Sequence, residues 1–108
     1  MLIAFASKNQ LGLNSELGAN ISQAEYIKVV ELEAGKLKKV TNVENPFFNQ
    51  SVDPVAFAAF ISTTKAEFLV VTALEKEAIT NELIKNPVLV KEGSSGRIAG
   101  LLENFQKF

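Results

Sequence analysis

Apolar residues in this chain fall into short unbroken runs separated by polar, glycine-containing stretches. Leu2 to Ala6 has no polar break, the pattern of a strand buried on both faces. Ser7 to Ser22 is rich in Ser, Asn and Gly and holds no sustained period. It reads as a long loop, and long loops in small domains often carry function. Tyr26 to Leu32 is β-rich. Glu33-Ala34-Gly35-Lys36 is a turn that needs glycine's freedom at positive φ. Leu37 to Val43 places Leu37, Val40 and Val43 among charged or polar positions in imperfect alternation. The two arms predict a β-hairpin.

Asn45-Pro46 ends the second arm, and Phe47 to Val52 connects onward. Asp53-Pro54 then marks a helix start, Asp at the N-cap and Pro at the first helical position. The helix runs through Val55 to Ile61, with Phe57, Phe60 and Ile61 at helical spacing. Phe68 to Val71 is a second buried strand. Thr72 followed by Glu75 has the spacing of a capping box and predicts a helix from Glu75 to Lys85. Ala78, Ile79 and Leu83 would face the sheet, and Asn86-Pro87 would stop the helix. Val88 to Val90 is a third short strand. Gly93-Ser94-Ser95-Gly96 makes a loop and cap. The last helix carries Ile98, Leu101, Leu102 and Phe105 as one stripe.

Strand, hairpin, then helix–strand–helix–strand–helix predicts a single α/β domain over residues 1–108. Alternating helices and strands pair in parallel through crossovers, and the hairpin adds antiparallel strands beside the first. The expected sheet is mixed and five-stranded, in the order 3-2-1-4-5, a ribonuclease H-like layout with helices packed on it.

Composition removes several kinds of chemistry. The 108 residues carry a net charge of −1, with 47% hydrophobic and 21% charged, as in ordinary globular domains. Only Lys36, Lys38 and Lys39 lie close together, and they read as a solvated strand face rather than a nucleic-acid surface. Cysteine and histidine are both absent. Disulfides, thiolate or imidazole metal ligation and histidine acid–base catalysis are therefore excluded. The first strand offers no carboxylate for a metal-dependent nuclease. Asp53, the one aspartate, is assigned to a cap; Glu16, Glu25, Glu44 and Glu75 fit as solvated surface. The chain is not expected to be an enzyme. Met1 to Ala6 is too short for a signal peptide and no run approaches a membrane span, so a cytoplasmic location is expected.

In open α/β sheets ligands sit beyond the carboxyl ends of the parallel strands where strand order reverses. Here that point lies between Leu2–Ala6 and Phe68–Val71. The Ser7–Ser22 loop, Thr72-Ala73 and the Gly93–Gly96 loop would border it, with two helix N-termini that favour anions. Plainer roles compete: Thr72 as a helix cap, Ser94 or Ser95 as an N-cap, and Gly93 and Gly96 as turn residues. No Walker loop or dinucleotide fingerprint is present. Of the eight phenylalanines, Phe57, Phe60, Phe68 and Phe105 fall on core-facing stripes. Phe47 and Phe48 are adjacent, so one of them is expected at the surface as a contact residue.

The order of features resembles the nitrogenase iron–molybdenum cofactor biosynthesis family, the NifX-type domain also found at the end of NifB-type proteins. The resemblance rests on Leu2-Ile3-Ala4-Phe5-Ala6-Ser7, on Asn20-Ile21-Ser22-Gln23-Ala24 before Tyr26-Ile27-Lys28-Val29-Val30, on Val43-Glu44-Asn45-Pro46, and on Glu92-Gly93-Ser94-Ser95-Gly96. It covers essentially the whole chain. It implies a carrier that holds an iron–molybdenum or other iron–sulfur-type cluster in the crevice and passes it to a cofactor-assembly or acceptor protein. The family's histidine falls on Asn20, its following glycine on Ser22, and its Gly-Gly pair on Thr72-Ala73. Ligation through thiolate or imidazole is therefore impossible here, and the cofactor is left unknown. The expected lining residues are Ser7, Asn14, Asn20, Ser22, Thr72 and Ser94. Two other readings stand beside the carrier. One is a small-anion or small-molecule module using the helix N-termini near Thr72 and Ser94. The other is a protein-interaction domain using Phe47, Phe48 and the hairpin edge Leu37–Val43. No nucleic-acid or membrane partner is expected, and the chain should be a monomer or weak homodimer.

Overall fold

In a computed structural model the chain is described at residues 1–9, 12–86, 88–94 and 96–106, with the side chains of Leu13 and of residues 104–106 left aside. Pro87 and Ser95, expected as helix stop and cap, lie outside the described residues, as does the Phe105 side chain. Five strands, β1 (Leu2–Ser7), β2 (Tyr26–Glu33), β3 (Lys36–Glu44), β4 (Phe68–Val70) and β5 (Leu89–Lys91), form one sheet in the order β3-β2-β1-β4-β5. β1 pairs antiparallel with β2 and parallel with β4, and β4 pairs parallel with β5. The expected α/β sheet is thus the one observed.

β1 is central because its side chains can be buried on both faces. Ile3, Ala4, Phe5 and Ala6 are all fully buried. Ala4 and Ala6 join Ile27, Val29 and Leu69 under helices α1 (Pro54–Thr64) and α2 (Glu77–Lys85), through Phe57, Ile61, Ile79 and Leu83. Ile3 and Phe5 join Val30, Leu32 and Val70 under helix α3 (Ile98–Gln106), through Ile98 and Leu102. The sheet is therefore sandwiched between two helices and one.

Ala34 and Gly35 both take positive φ at the hairpin tip, 53° and 77°. The imperfect alternation on β3 has a physical cause. The register slips between Glu31 and Leu32, so Lys38 is an extra residue opposite them. Val40 then packs on the α3 face and Val43 on the α1 face. Lys36, Lys38 and Lys39 are exposed, and Lys38 pairs with Glu33 at 3.2 Å. Asp53 caps α1 as expected, accepting from the Val55 and Ala56 N–H groups at 3.0 and 3.4 Å. Phe47 packs edge-on against Phe57 with ring centroids 5.6 Å apart, while Phe48 stays exposed.

Two local expectations are corrected. Thr72 and Glu75 do not form a capping box: residues 72–76 run as a loop, and α2 begins at Glu77. The Glu75 carboxylate is taken by a distant partner, as described below. Ala78 is exposed rather than facing the sheet, because Ile79 and Leu83, four apart, occupy the inward stripe. No helix among the described residues is long and apolar enough to cross a membrane.

Candidate functional site

Ser7 closes β1 opposite Tyr26 of β2. On its other side β4 has already stopped, since Val70 pairs with Phe5. The vacated place is taken by the chain's own loop. Leu17 bridges Ser7, and the Gly18 N–H donates to the Ala6 carbonyl at 2.9 Å. The Lys8 N–H donates to the Glu16 carbonyl at 2.8 Å, and Glu16 bridges Arg97 just before α3. The Leu17 N–H reaches the Gly96 carbonyl at 3.2 Å, and the Ile98 N–H reaches the Ser15 carbonyl at 2.9 Å. The segment from Ser15 to Gly18 therefore ties the ends of β1 and α3 together and fills the cleft beside Ser7.

Gly18 is required there by close approach. A Cβ at this position would meet the Ala24 nitrogen and the Gln23 carbonyl oxygen at 3.1 Å. The loop also contains two 3-10 turns, Gly12–Asn14 and Ile21–Gln23. Asn20 caps the second, its side-chain oxygen accepting from the Gln23 N–H at 3.2 Å and the Ser22 hydroxyl at 3.0 Å. The first N–H of that turn, Ile21, donates to Glu75 Oε1 at 2.6 Å. This bond spans 54 residues and joins the loop to the segment after β4. Asn45 holds the same turn from beneath. Its Nδ2 donates to the Ile21 and Ala24 carbonyls at 2.8 and 2.7 Å, and its Oδ1 accepts from the Phe47 N–H at 3.0 Å.

The expected lining residues can now be placed. Asn20 and Ser22 flank Ile21 on the turn that the Glu75 carboxylate holds. Thr72 and Ser94 adjoin, because the Gly93 N–H donates to the Thr72 carbonyl at 2.9 Å and the Ser94 N–H to the Val71 carbonyl at 3.3 Å. Thr72 is half-buried and Ser94 is 7% exposed. Ser7 is fully buried, its hydroxyl donating to the Asn9 carbonyl at 2.6 Å, where the Ser15 hydroxyl also donates at 3.0 Å. Asn14 is exposed at the end of a turn that contacts α3. Ser94 lies four residues ahead of α3 and so does not occupy its N-cap. Asn9 Oδ1 is buried with no hydrogen-bond partner.

Of the two helix N-termini, α3 has its first N–H occupied by Ser15. α2 has Lys76 at its cap position with no side-chain cap bond, and Glu77 in its first turn. A carboxylate there competes with any anion for the positive end of the helix. Metal ligation has little to work with, since no group of three His, Cys, Asp or Glu side chains converges among the described residues.

Sequence reasoning missed three side chains that matter here. Glu75 was read as a cap and solvated carboxylate, Asn45 only as a turn residue, and Lys28 not at all. Lys28 is fully buried on the α3 face, opposite Phe5, with its ammonium donating to the Asn42 side chain. Burial lowers its pKa from the ordinary lysine value. The available signal was a lone lysine within the otherwise apolar run Ile27–Val30.

Neither a family model nor any curated protein matches the sequence. Solved structures do match in fold. The protein named PH0822 superposes with a TM-score of 0.85 at 20% identity, covering 99% of this chain and 91% of its own. A Thermotoga protein provisionally named NifB and placed in the DUF35 family gives 0.75 at 20% identity, covering 98% and 87%. A Methanocaldococcus jannaschii protein provisionally named a dinitrogenase gives 0.69 at 8% identity, covering 99% and 88%. At these identities the likeness establishes a shared fold, and two of these neighbours carry nitrogenase-related names.

Proposed function

We propose that this chain is a non-enzymatic carrier or accessory domain of the nitrogenase-cofactor type. Its cargo would be an anionic metal cluster held by hydrogen bonds rather than by protein ligands to iron. What supports this reading is the Glu75–Ile21 bond, which ties the Ile21–Gln23 turn to the segment after β4, together with the bonds from Gly93 and Ser94 to Thr72 and Val71 just beyond β4. That is where ligands of open α/β sheets bind. The whole-chain likeness to a protein named NifB adds to it.

The residues present do not fit first-sphere ligation of cluster iron, which wants thiolate or imidazole. They do offer hydroxyls at Thr72 and Ser94, the Ser22 hydroxyl being donated to Asn20 Oδ1, and charge-assisted hydrogen bonds to an anion are stronger than neutral ones. Ser7 and Ser15 support the loop from within instead of touching cargo. Among the described residues Asn9 Oδ1 is buried without a hydrogen-bond partner, and turning its amide over would present a donor in place of the acceptor. A loosely held cargo suits delivery to an acceptor protein.

Anaerobic incubation with a cluster donor, desalting and metal analysis tests the proposal. The protein should elute with iron or molybdenum, and Thr72→Val and Ser94→Ala should lower the yield. A chain that elutes free of both metals refutes the carrier reading. The competing small-anion reading has less support, because the α3 N-terminus is engaged by Ser15 and Glu77 guards that of α2. A thermal shift with phosphate or molybdate alone, unmatched by any cluster binding, would favour it instead.

A further inference from the structure

A second site lies at the base of the hairpin, where β2 begins and β3 ends. Glu25, Tyr26, Glu44, Asn45 and Phe48 line a cavity of about 200 Å³. Tyr26 and Glu44 are a registered cross-strand pair, so their side chains share one sheet face. Glu25, just ahead of β2, lines the same cavity as the Tyr26 phenol. Among the described residues neither carboxylate forms an ion pair: the pairs present join Lys38 to Glu31 and Glu33, and Lys85 to Glu82. Their field is felt locally, since burial and then Glu25 and Glu44 raise the phenol's pKa.

The aromatic wall is also unspent. Phe47 turns to Phe57 and Phe60 in the core, whereas Phe48 is 36% exposed. The site is built rigidly. Asn45 is 5% exposed and uses its amide on three backbone groups, and the Phe48 N–H donates to the Asn45 carbonyl at 3.1 Å. The cavity is smaller than the ~300–1,000 Å³ typical of drug-sized ligands, so it suits one side chain rather than a cofactor.

We infer that this cavity receives an arginine side chain of a partner protein, its guanidinium lying against Phe48 and Tyr26 and bonded to Glu44 and Glu25. Charge complementarity demands a cation, and the aromatic walls select guanidinium. Its flat, weakly hydrated face stacks on rings while its edge donates to carboxylates, which a compact ammonium cannot do together. Asn45 links this cavity to the Ile21–Gln23 turn, but Glu25, Tyr26, Glu44 and Phe48 are not among the residues proposed to hold cargo, so the inference is tested separately from the carrier reading.

The test is an NMR titration of the ¹⁵N-labelled full chain with acetyl-Gly-Arg-Gly-amide, the matching lysine peptide, and agmatine. The arginine peptide should give saturable shifts centred on Tyr26, Glu44 and Phe48. It should bind at least about threefold more tightly than the lysine peptide, and Phe48→Ala should weaken it by a similar factor. Glu44→Gln should weaken it too, and Glu44→Lys should abolish it, each with an unchanged melting temperature. No saturable shift, equal binding of both peptides, or binding indifferent to these substitutions would overturn the inference. Agmatine binding more tightly than the peptide would overturn the protein partner in favour of a free guanidinium compound.

Discussion

Replacing Asn45 by alanine removes a side chain that ties the Ile21–Gln23 turn, the approach to β2 and the exit from β3 to one another. The amide is buried and makes three hydrogen bonds of 2.7 to 3.0 Å, all to backbone groups. At about 1 kcal/mol per bond the loss is roughly 3 kcal/mol, and more if water fails to reach the abandoned carbonyls. For a chain of this size that lowers the melting temperature by roughly 12 °C. Urea denaturation followed by circular dichroism would measure it. Asn45→Asp should be worse at neutral pH, since it replaces two donors with a carboxylate facing two carbonyls. Burial against two carbonyls would raise that carboxyl's pKa, so acidification towards the ordinary aspartate range should recover part of the loss by restoring a proton to donate. An Asn45→Ala protein within about 1 kcal/mol of the parent would show that the clamp contributes little, and an Asn45→Asp protein more stable than Asn45→Ala would refute the donor argument.

Lys28→Met should be neutral or stabilising at pH 7, because it removes a buried ammonium with one neutral partner. The sign follows from the lowered pKa: the unfolded chain binds the proton more tightly, so the penalty is full at low pH. It fades as pH rises from the depressed folded value towards 10.5. The advantage of Lys28→Met should shrink over that window, as parallel denaturation curves across pH would reveal. Gly18→Ala should cost roughly 1–3 kcal/mol, because its Cβ meets backbone atoms of Gln23 and Ala24 that cannot swing aside; an unchanged denaturation midpoint would count against the packed-loop description. Asp53→Ala should cost about 1 kcal/mol through its lost cap, with Asp53→Asn restoring most of it.

Features legible in the sequence were those set by local chemistry or by burial on a single element. The apolar run Leu2–Ala6 announced a strand covered on both faces, Asp53-Pro54 a capped helix, and Gly35 a hairpin turn. Together they were enough to order the sheet. Long-range partners were not legible. Thr72 and Glu75 have capping-box spacing, yet the Glu75 carboxylate binds the Ile21 N–H, and nothing local distinguishes those uses. The loop after Ser7 carries no period because its structure comes from single bridges to Ser7 and Arg97. Hence the filling of the strand ends by Leu17 and Gly18 was invisible in the sequence. The polar candidates divide accordingly: Asn20, Ser22, Thr72 and Ser94 border the strand ends, Ser7 supports from beneath, and Asn14 sits on the outer turn against α3.

The most direct test of the carrier site is the amide map of the chain before and after anaerobic exposure to a cluster donor. Perturbed or broadened signals are expected to be confined to Asn20–Gln23, Thr72-Ala73 and Gly93-Ser94, with bound iron or molybdenum in proportion. Metal bound while those amides stay unmoved, or perturbation centred on another face of the sheet, would contradict the carrier reading.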